Sequence, residues 1–348
     1  MLGKKSGPRS AGLLLVIYTL LWIGGCQSDR RQKIDVSAVP VEVRVERFES
    51  ELFALDTARM QEGLDSLRFR YGSLFDLFAY RITRLGTPDP AETAARFREF
   101  VADTNFRRLD RDCQTAFPDL TVLDAGLTDA FRHYRHYLPE GTVPRVATLV
   151  SAFSYPIVCD STWLGIALDM YLGSDYALYN TLQPPLPNYI RRRMRPEYIV
   201  PDAVKGWLLS DYGIDESSAK LVEMMVAQGR IHYALRYLLP EAPDSLLCGY
   251  TGAQLDWCRA NEQQVWSFFV DQKLLFSNDP NILLKYAGEG PSTGGFPKES
   301  PGNIALYTGW RIVEAYMERH PDKQLQQLLK EQDLLGIFND SGYKPRKP

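Results

Sequence analysis

Four histidines set the first limit on the chemistry available to this chain: His133, His136, His232 and His320. A zinc-peptidase helix needs two His four residues apart on one face and a Glu that deprotonates water, the HExxH pattern. The residues that follow the four histidines are Tyr134, Tyr137, Tyr233 and Pro321, so the pattern is absent. His133 and His136 lie three apart, with Asp129 one turn earlier, but no convincing further ligand accompanies them. They read as an aromatic-basic helix end, and no metal site is expected. Gly290-Pro291-Ser292-Thr293-Gly294 carries the letters of a serine-hydrolase elbow. That motif requires a strand-to-helix turn, whereas Gly295 and Pro297 stop a helix from starting directly after it, so it reads as loop. Neither GxxxxGK[ST] nor GxGxxG is present, which removes the phosphate-loop and dinucleotide classes; no cofactor is expected.

Two polar constellations remain. Asp169 and Asp175 would suit acid–base work or calcium, with turn and cap roles the simpler reading. Glu223, Gln228 and His232 place polar groups on neighbouring turns of one segment. With Lys298 and Glu299 from the glycine- and proline-rich loop 288–303 they make the candidate functional cleft, the alternative being a satisfied polar network. No catalytic residue is assigned. Arg191-Arg192-Arg193 with Arg195 is the one dense basic cluster, suited to a lipid head group or phosphate but more simply a solvated surface run.

Cys26 has a different kind of chemistry. Lys4, Lys5 and Arg9 precede an apolar run from Ala11 to Ile23, and small residues Gly24 and Gly25 stand before the cysteine, the order of a secretory signal. As a helix the run would reach ~20 Å, short of the ~30 Å hydrocarbon core. Ile23-Gly24-Gly25-Cys26 resembles the bacterial lipobox, which implies cleavage before Cys26 and acylation with diacylglycerol and a further chain such as palmitate. Each buried methylene contributes ~0.8 kcal/mol, so two or three chains anchor durably. Gln27, where an Asp often retains lipoproteins at the inner membrane, points to the outer membrane with the domain facing the periplasm. Cys113, Cys159, Cys248 and Cys258 remain; Cys248 and Cys258 are the nearest candidate disulfide, with buried free thiols as the alternative.

Loss of the three basic residues in the first 25 takes the net charge from −3 to −6, which gives nucleic-acid binding no support. The elements that must position these groups are mostly helices. Val41, Val43 and Val45 alternate with charged residues, predicting a strand over 41–48. Helices are expected over 57–71, from Pro90 towards Cys113, and over 124–138. Residues 145–153 and 157–172 read as neighbouring antiparallel strands, and helices are expected again over 215–239, 251–276, 304–319 and 325–335. The fold class is α+β, mostly helical with a small, largely antiparallel sheet. The expected organisation is a signal peptide over 1–25, a flexible tether over 26–40, one domain over 41–340 and a disordered tail over 341–348.

Several segments, in order, resemble the gliding-motility lipoprotein family GldB of the Bacteroidota. They are Leu168-Asp169-Met170-Tyr171-Leu172-Gly173, Pro196-Glu197-Tyr198-Ile199, Met225-Val226-Ala227-Gln228-Gly229-Arg230 and Asp271-Gln272-Lys273-Leu274-Leu275-Phe276. The clearest are Phe296-Pro297-Lys298-Glu299-Ser300-Pro301-Gly302-Asn303-Ile304 and Gly309-Trp310-Arg311-Ile312-Val313-Glu314-Ala315-Tyr316-Met317. The family is distantly similar to zincin-type metallopeptidases, and on that similarity residues 216–232 take the place of the HExxH helix. Glu223-Met224-Met225-Val226-Ala227-Gln228 stands there without a His-Glu pair, so the resemblance implies a degenerate zincin-like scaffold, a pseudo-enzyme. It also implies a part in the gliding machinery and its allied secretion system, binding other envelope proteins. The alternatives are an envelope hydrolase with an unrecognised site and a solute- or glycan-binding lipoprotein, the latter suggested by the aromatic-rich helices.

Overall fold

The computed structural model describes residues 34–345, together with Gly3. Cys26, the rest of the expected signal segment, the tether residues up to 33 and the last three residues therefore lie outside the described residues. Packing begins earlier than the tether reading implied: Val36 is buried, and the compact unit starts at Asp35. The valine alternation of 41–45 yields only a short strand, β1 (Val45–Arg47). Its preceding backbone is held by side chains instead, since Val43 N donates to Thr128 Oγ1 and Val45 N to Asp124 Oδ1, each at 2.9 Å.

A helical layer follows: α1 (Phe48–Phe53), α2 (Met60–Tyr71), α3 (Ser73–Asp76), α4 (Pro90–Ala102), α5 (Thr104–Ala116) and α6 (Thr121–Tyr137). The expected helix from Pro90 to Cys113 is two helices. Asp103 ends α4 in an extended conformation, and its carboxylate accepts from Asn105 N and Phe106 N to cap α5.

The sheet adds β2 (Arg145–Leu149), β3 (Ile157–Cys159) and β4 (Trp163–Ala167), in the spatial order β1-β2-β4-β3. The α+β class holds, but the sheet is mixed. The β1–β2 and β2–β4 pairings are parallel and only β3–β4 is antiparallel, which corrects the largely antiparallel expectation. The cause is a turn inside the segment read as one strand. Asp160 Oδ1 accepts from Thr162 N at 2.7 Å and Trp163 N at 2.8 Å, folding 157–167 into a hairpin that returns β4 alongside β2. Every residue of β4 is buried, as suits a central strand covered on both faces. Gly206 lies against Ile157 and Cys159 on one face, and Gly165 meets Leu74 of α3 on the other.

The C-terminal half is again helical: α7 (Asn188–Arg191), α8 (Ile199–Tyr212), α9 (Leu221–Leu238), α10 (Asp244–Cys248), α11 (Gly252–Ala260), α12 (Glu262–Asp271) and α13 (Pro280–Ala287). After the 288–303 loop come α14 (Ile304–Arg319), α15 (Leu325–Lys330) and α16 (Leu334–Ser341). The helix expected over 251–276 breaks at Asn261, whose side chain donates to Trp257 O at 2.8 Å. The tail also departs from expectation. Tyr343 is buried and its hydroxyl donates to Glu262 Oε1 at 2.8 Å, so the chain stays packed past residue 341 because an aromatic ring there has a partner. Among the described residues no helix is long and apolar enough to cross a membrane.

Candidate functional site

α9 occupies the place where a catalytic helix was sought, and it is a core element. Fifteen of its eighteen residues are buried, from Leu221 to Leu238, the pattern of a core helix. It crosses α14 with the two backbones in direct contact. A Cβ built on Gly229 would stand 2.2 Å from Gly309 C, and one on Gly309 would stand 1.7 Å from Met225 O. Only glycine at both positions permits this approach.

The polar residues of α9 bind its neighbours. Glu223 Oε2 accepts from Lys220 N at 2.8 Å, closing the first turn as a cap. Gln228 Nε2 donates to Ala287 O at 3.2 Å, tying α9 to the end of α13. Arg230 is 1% exposed, and its guanidinium donates to the carbonyls of Tyr212, Leu329 and Glu331. Arg236 pairs with Asp244 and Glu314, each at 3.1 Å, and lies 4.7 Å from the centre of the Trp310 ring. His232 is buried between Trp310, with ring centres 4.7 Å apart, and Cys248, whose Sγ is 3.5 Å from Nε2. A Cys beside a His has the form of an activated nucleophile, but activation requires the thiolate. Burial pushes the Cys248 thiol well above its ordinary value, so it stays protonated.

The 288–303 loop is organised by its own hydrogen bonds. Thr293 Oγ1 donates to Pro301 O at 2.7 Å, and Ser300 Oγ accepts from Thr293 N at 3.3 Å. Gly302 packs on Gly290, where a Cβ would stand 2.2 Å from Gly290 O. Asn303, at φ +55°, caps α14 by accepting from Leu306 N. The basic cluster meets this loop through Arg193, which pairs with Glu289 at 3.1 Å, while Arg192 donates to Gly249 O, just past α10, at 2.8 Å. Lys298 and Glu299 stand exposed in the loop. The five residues expected to share a cleft thus divide into a helix cap, a tie to α13, a buried imidazole and two exposed loop groups. The α9 members are tied to neighbouring elements, although Gln228 Oε1 is buried without a hydrogen-bond partner.

One concave feature escaped the sequence reading. The C-terminal end of α6, the C-terminal part of α9 and the segment joining α14 to α15 surround a cavity of about 360 Å³, lined by His136, Tyr137, Tyr233, Tyr237, Lys323 and Gln324 among others. The Tyr233 and Tyr237 hydroxyls lie 2.9 Å apart, and the Tyr137 ring meets Tyr237 edge-on with centres 5.3 Å apart. The available signal was the tyrosine pair four residues apart on α9 beside the His-Tyr end of α6.

The family model of gliding motility protein GldB matches residues 29–345. The chain belongs to the GldB family. No curated protein and no solved structure matches it. The match takes in all of the GldB segments quoted above, and the two most distinctive of them supply the 288–303 loop and the α14 side of the glycine crossing.

Two buried carboxylates in this GldB chain are structural. Asp169 is fully buried, and accepts from Ser151 N at 2.9 Å and Phe153 N at 2.7 Å. It thereby holds Ala152 and Phe153 at φ +55° and +61°, a conformation non-glycine residues rarely adopt. Burial pushes its carboxyl up to about 6. Asp175 is exposed and takes no part, so the two do not form a pair. Glu49, buried and bonded by Thr148 Oγ1 at 2.7 Å, is raised to about 7, chiefly by the same loss of solvent. His133 Nδ1 lies 3.0 Å from Asp129 O, one turn back on its own helix, while His136 is exposed. Among the described residues no group of three His, Cys, Asp or Glu side chains is arranged to hold a metal ion. Cys113, Cys159, Cys248 and Cys258 are all free thiols. The candidate Cys248–Cys258 pair is thus two buried free thiols, the alternative reading, with Cys248 against His232.

Proposed function

We propose that this GldB-family chain is a lipid-anchored, non-catalytic scaffold of the gliding machinery and its allied protein-secretion system. Cys26 is its anchor, placing the domain on the periplasmic face of the outer membrane, where it binds other envelope proteins. The observation that carries the non-catalytic part is the enclosure of α9. A general base must reach the proton it removes, and Glu223, the one carboxylate on that helix, caps its first turn. The signal segment, the lipobox and Gln27 support the anchor and its membrane.

Two measurements test the proposal. Tagged protein solubilised from cell envelopes in detergent is expected to bring other envelope proteins with it. Recovery of the protein alone, with motility and secretion intact after deletion, would overturn the scaffold. Separately, Cys26→Ala is expected to release the domain from the membrane fraction; unchanged partitioning would overturn the anchor.

A further inference from the structure

The cavity between α6, α9 and α14 lies outside everything the scaffold reading uses, and its chemistry is specific. We infer that it is a binding site for a neutral saccharide, one or two pyranose rings at the end of a glycan. Its volume of about 360 Å³ falls within the ~300–1,000 Å³ of small-ligand pockets. It opens to solvent through the exposed His136, Pro139 and Gln324.

Three features select the ligand class. Tyr137, Tyr233 and Tyr237 give rigid aromatic surfaces, against which the C–H faces of a sugar ring pack with little loss of side-chain entropy. The Tyr233–Tyr237 hydroxyl pair uses one of its two protons in its mutual bond at 2.9 Å, which leaves a donor and several lone pairs. An aliphatic ligand would bury those groups unpaired, at about 1–3 kcal/mol each, whereas ring hydroxyls would satisfy them. The carboxamide of Gln324 adds donors at the rim, while its backbone N donates to Gln327 Oε1 at 2.8 Å at the start of α15.

Charge excludes the ionic alternatives. Among the described residues no carboxylate lines the cavity, which disfavours a cation. Its one ammonium, Lys323, is already engaged: Nζ lies 3.1 Å from Glu331 Oε2 and donates to Tyr316 OH at 2.7 Å. An anionic ligand would have to compete with that pair. A neutral polyol needs no such exchange, and the inference holds whether or not the chain also acts as a scaffold.

The test uses the detergent-solubilised full chain with maltose, cellobiose, N,N′-diacetylchitobiose and the peptide Gly-Tyr-Gly as probes, read by saturation-transfer NMR and titration calorimetry. At least one disaccharide is expected to bind saturably. Tyr137→Ala and Tyr237→Ala should each weaken it at least tenfold, and Met317→Trp, which fills the cavity from the α14 side, should abolish it. Lys298→Ala should leave it unchanged, and thermal melting of every variant identifies any that fails to fold. Absence of saturable binding by all three disaccharides would overturn the inference. So would binding that survives in folded Met317→Trp, or saturation by the peptide alone, which would reassign the cavity to a protein segment.

Discussion

Replacing Gly309 with Ala tests the backbone crossing of α9 and α14 directly. The added methyl would stand 1.7 Å from Met225 O, where ordinary contact begins at 3.4 Å, and the obstacle is backbone that no rotamer change can move. The helices must therefore part by well over an ångström at the crossing. A radial gap of ~0.5–1 Å already forfeits a quarter to a half of a dispersion contact. The tilted His232–Trp310 ring contact and the Arg236–Glu314 pair span this same interface. Overpacking in a core costs about 1–3 kcal/mol; losses shared by two long buried helices take the gross penalty to about 4. Alanine in place of glycine returns about 1 kcal/mol of helix propensity, leaving a net loss of about 3 kcal/mol. For a domain of this size that is a fall of about 5 °C in Tm. Gly252→Ala is the control, because nothing lies within 4 Å of its added methyl. The measurement is thermal and urea unfolding followed by circular dichroism. If Gly309→Ala melts within a degree or two of the parent, the two helices are not in backbone contact and the packed-core account of α9 fails.

Other expectations follow from the charges and thiols. Glu49, raised from 4.5 to about 7 by burial, keeps its proton in the folded state over a range where the unfolded chain has lost it. Stability should therefore fall as pH rises from about 4.5 to 7, by up to about 3 kcal/mol. Glu49→Gln should flatten that slope in urea midpoints; an unchanged slope would refute the assignment. Arg236→Met removes a partner from both Asp244 and Glu314 in a buried setting and should cost about 3–5 kcal/mol. A loss under about 1 kcal/mol would mean the pair is solvated. Burial holds all four thiols above their ordinary range, so Tm should be the same with and without reductant. A reductant-dependent fall of several degrees would restore the disulfide.

Local elements were legible where a short-range device marks them. Asp89 with Pro90 announces α4, and the Ile304–Arg319 helix follows its apolar spacing to the residue. The hairpin was missed because Asp160 acts through its side chain, inside a run whose composition reads as continuous strand. The candidate cleft failed for a related reason. Periodicity places Glu223, Gln228 and His232 on one helix, but it cannot say that a second helix covers them. That information lies in Gly229 and Gly309, eighty residues apart, and a glycine inside a helix does not declare what approaches it. The tyrosine cavity needs Tyr137 as well as Tyr233 and Tyr237, and no local pattern joins residue 137 to residue 233.

Because α9 is buried along most of its length, its shelter comes from both directions along the chain. α6 and α8 precede it, whereas α14 and α16 are synthesised only later, from Ile304 and Leu334 onwards. A chain that has emerged only as far as the 288–303 loop thus presents an apolar helix with one flank bare, a surface prone to aggregate. Tyr343 then ties the last helix back to Glu262. Residues 304–343 act as the clasp of the domain, so a nonsense mutation or proteolytic cut even a short way upstream would remove not a tail but the lid of the core.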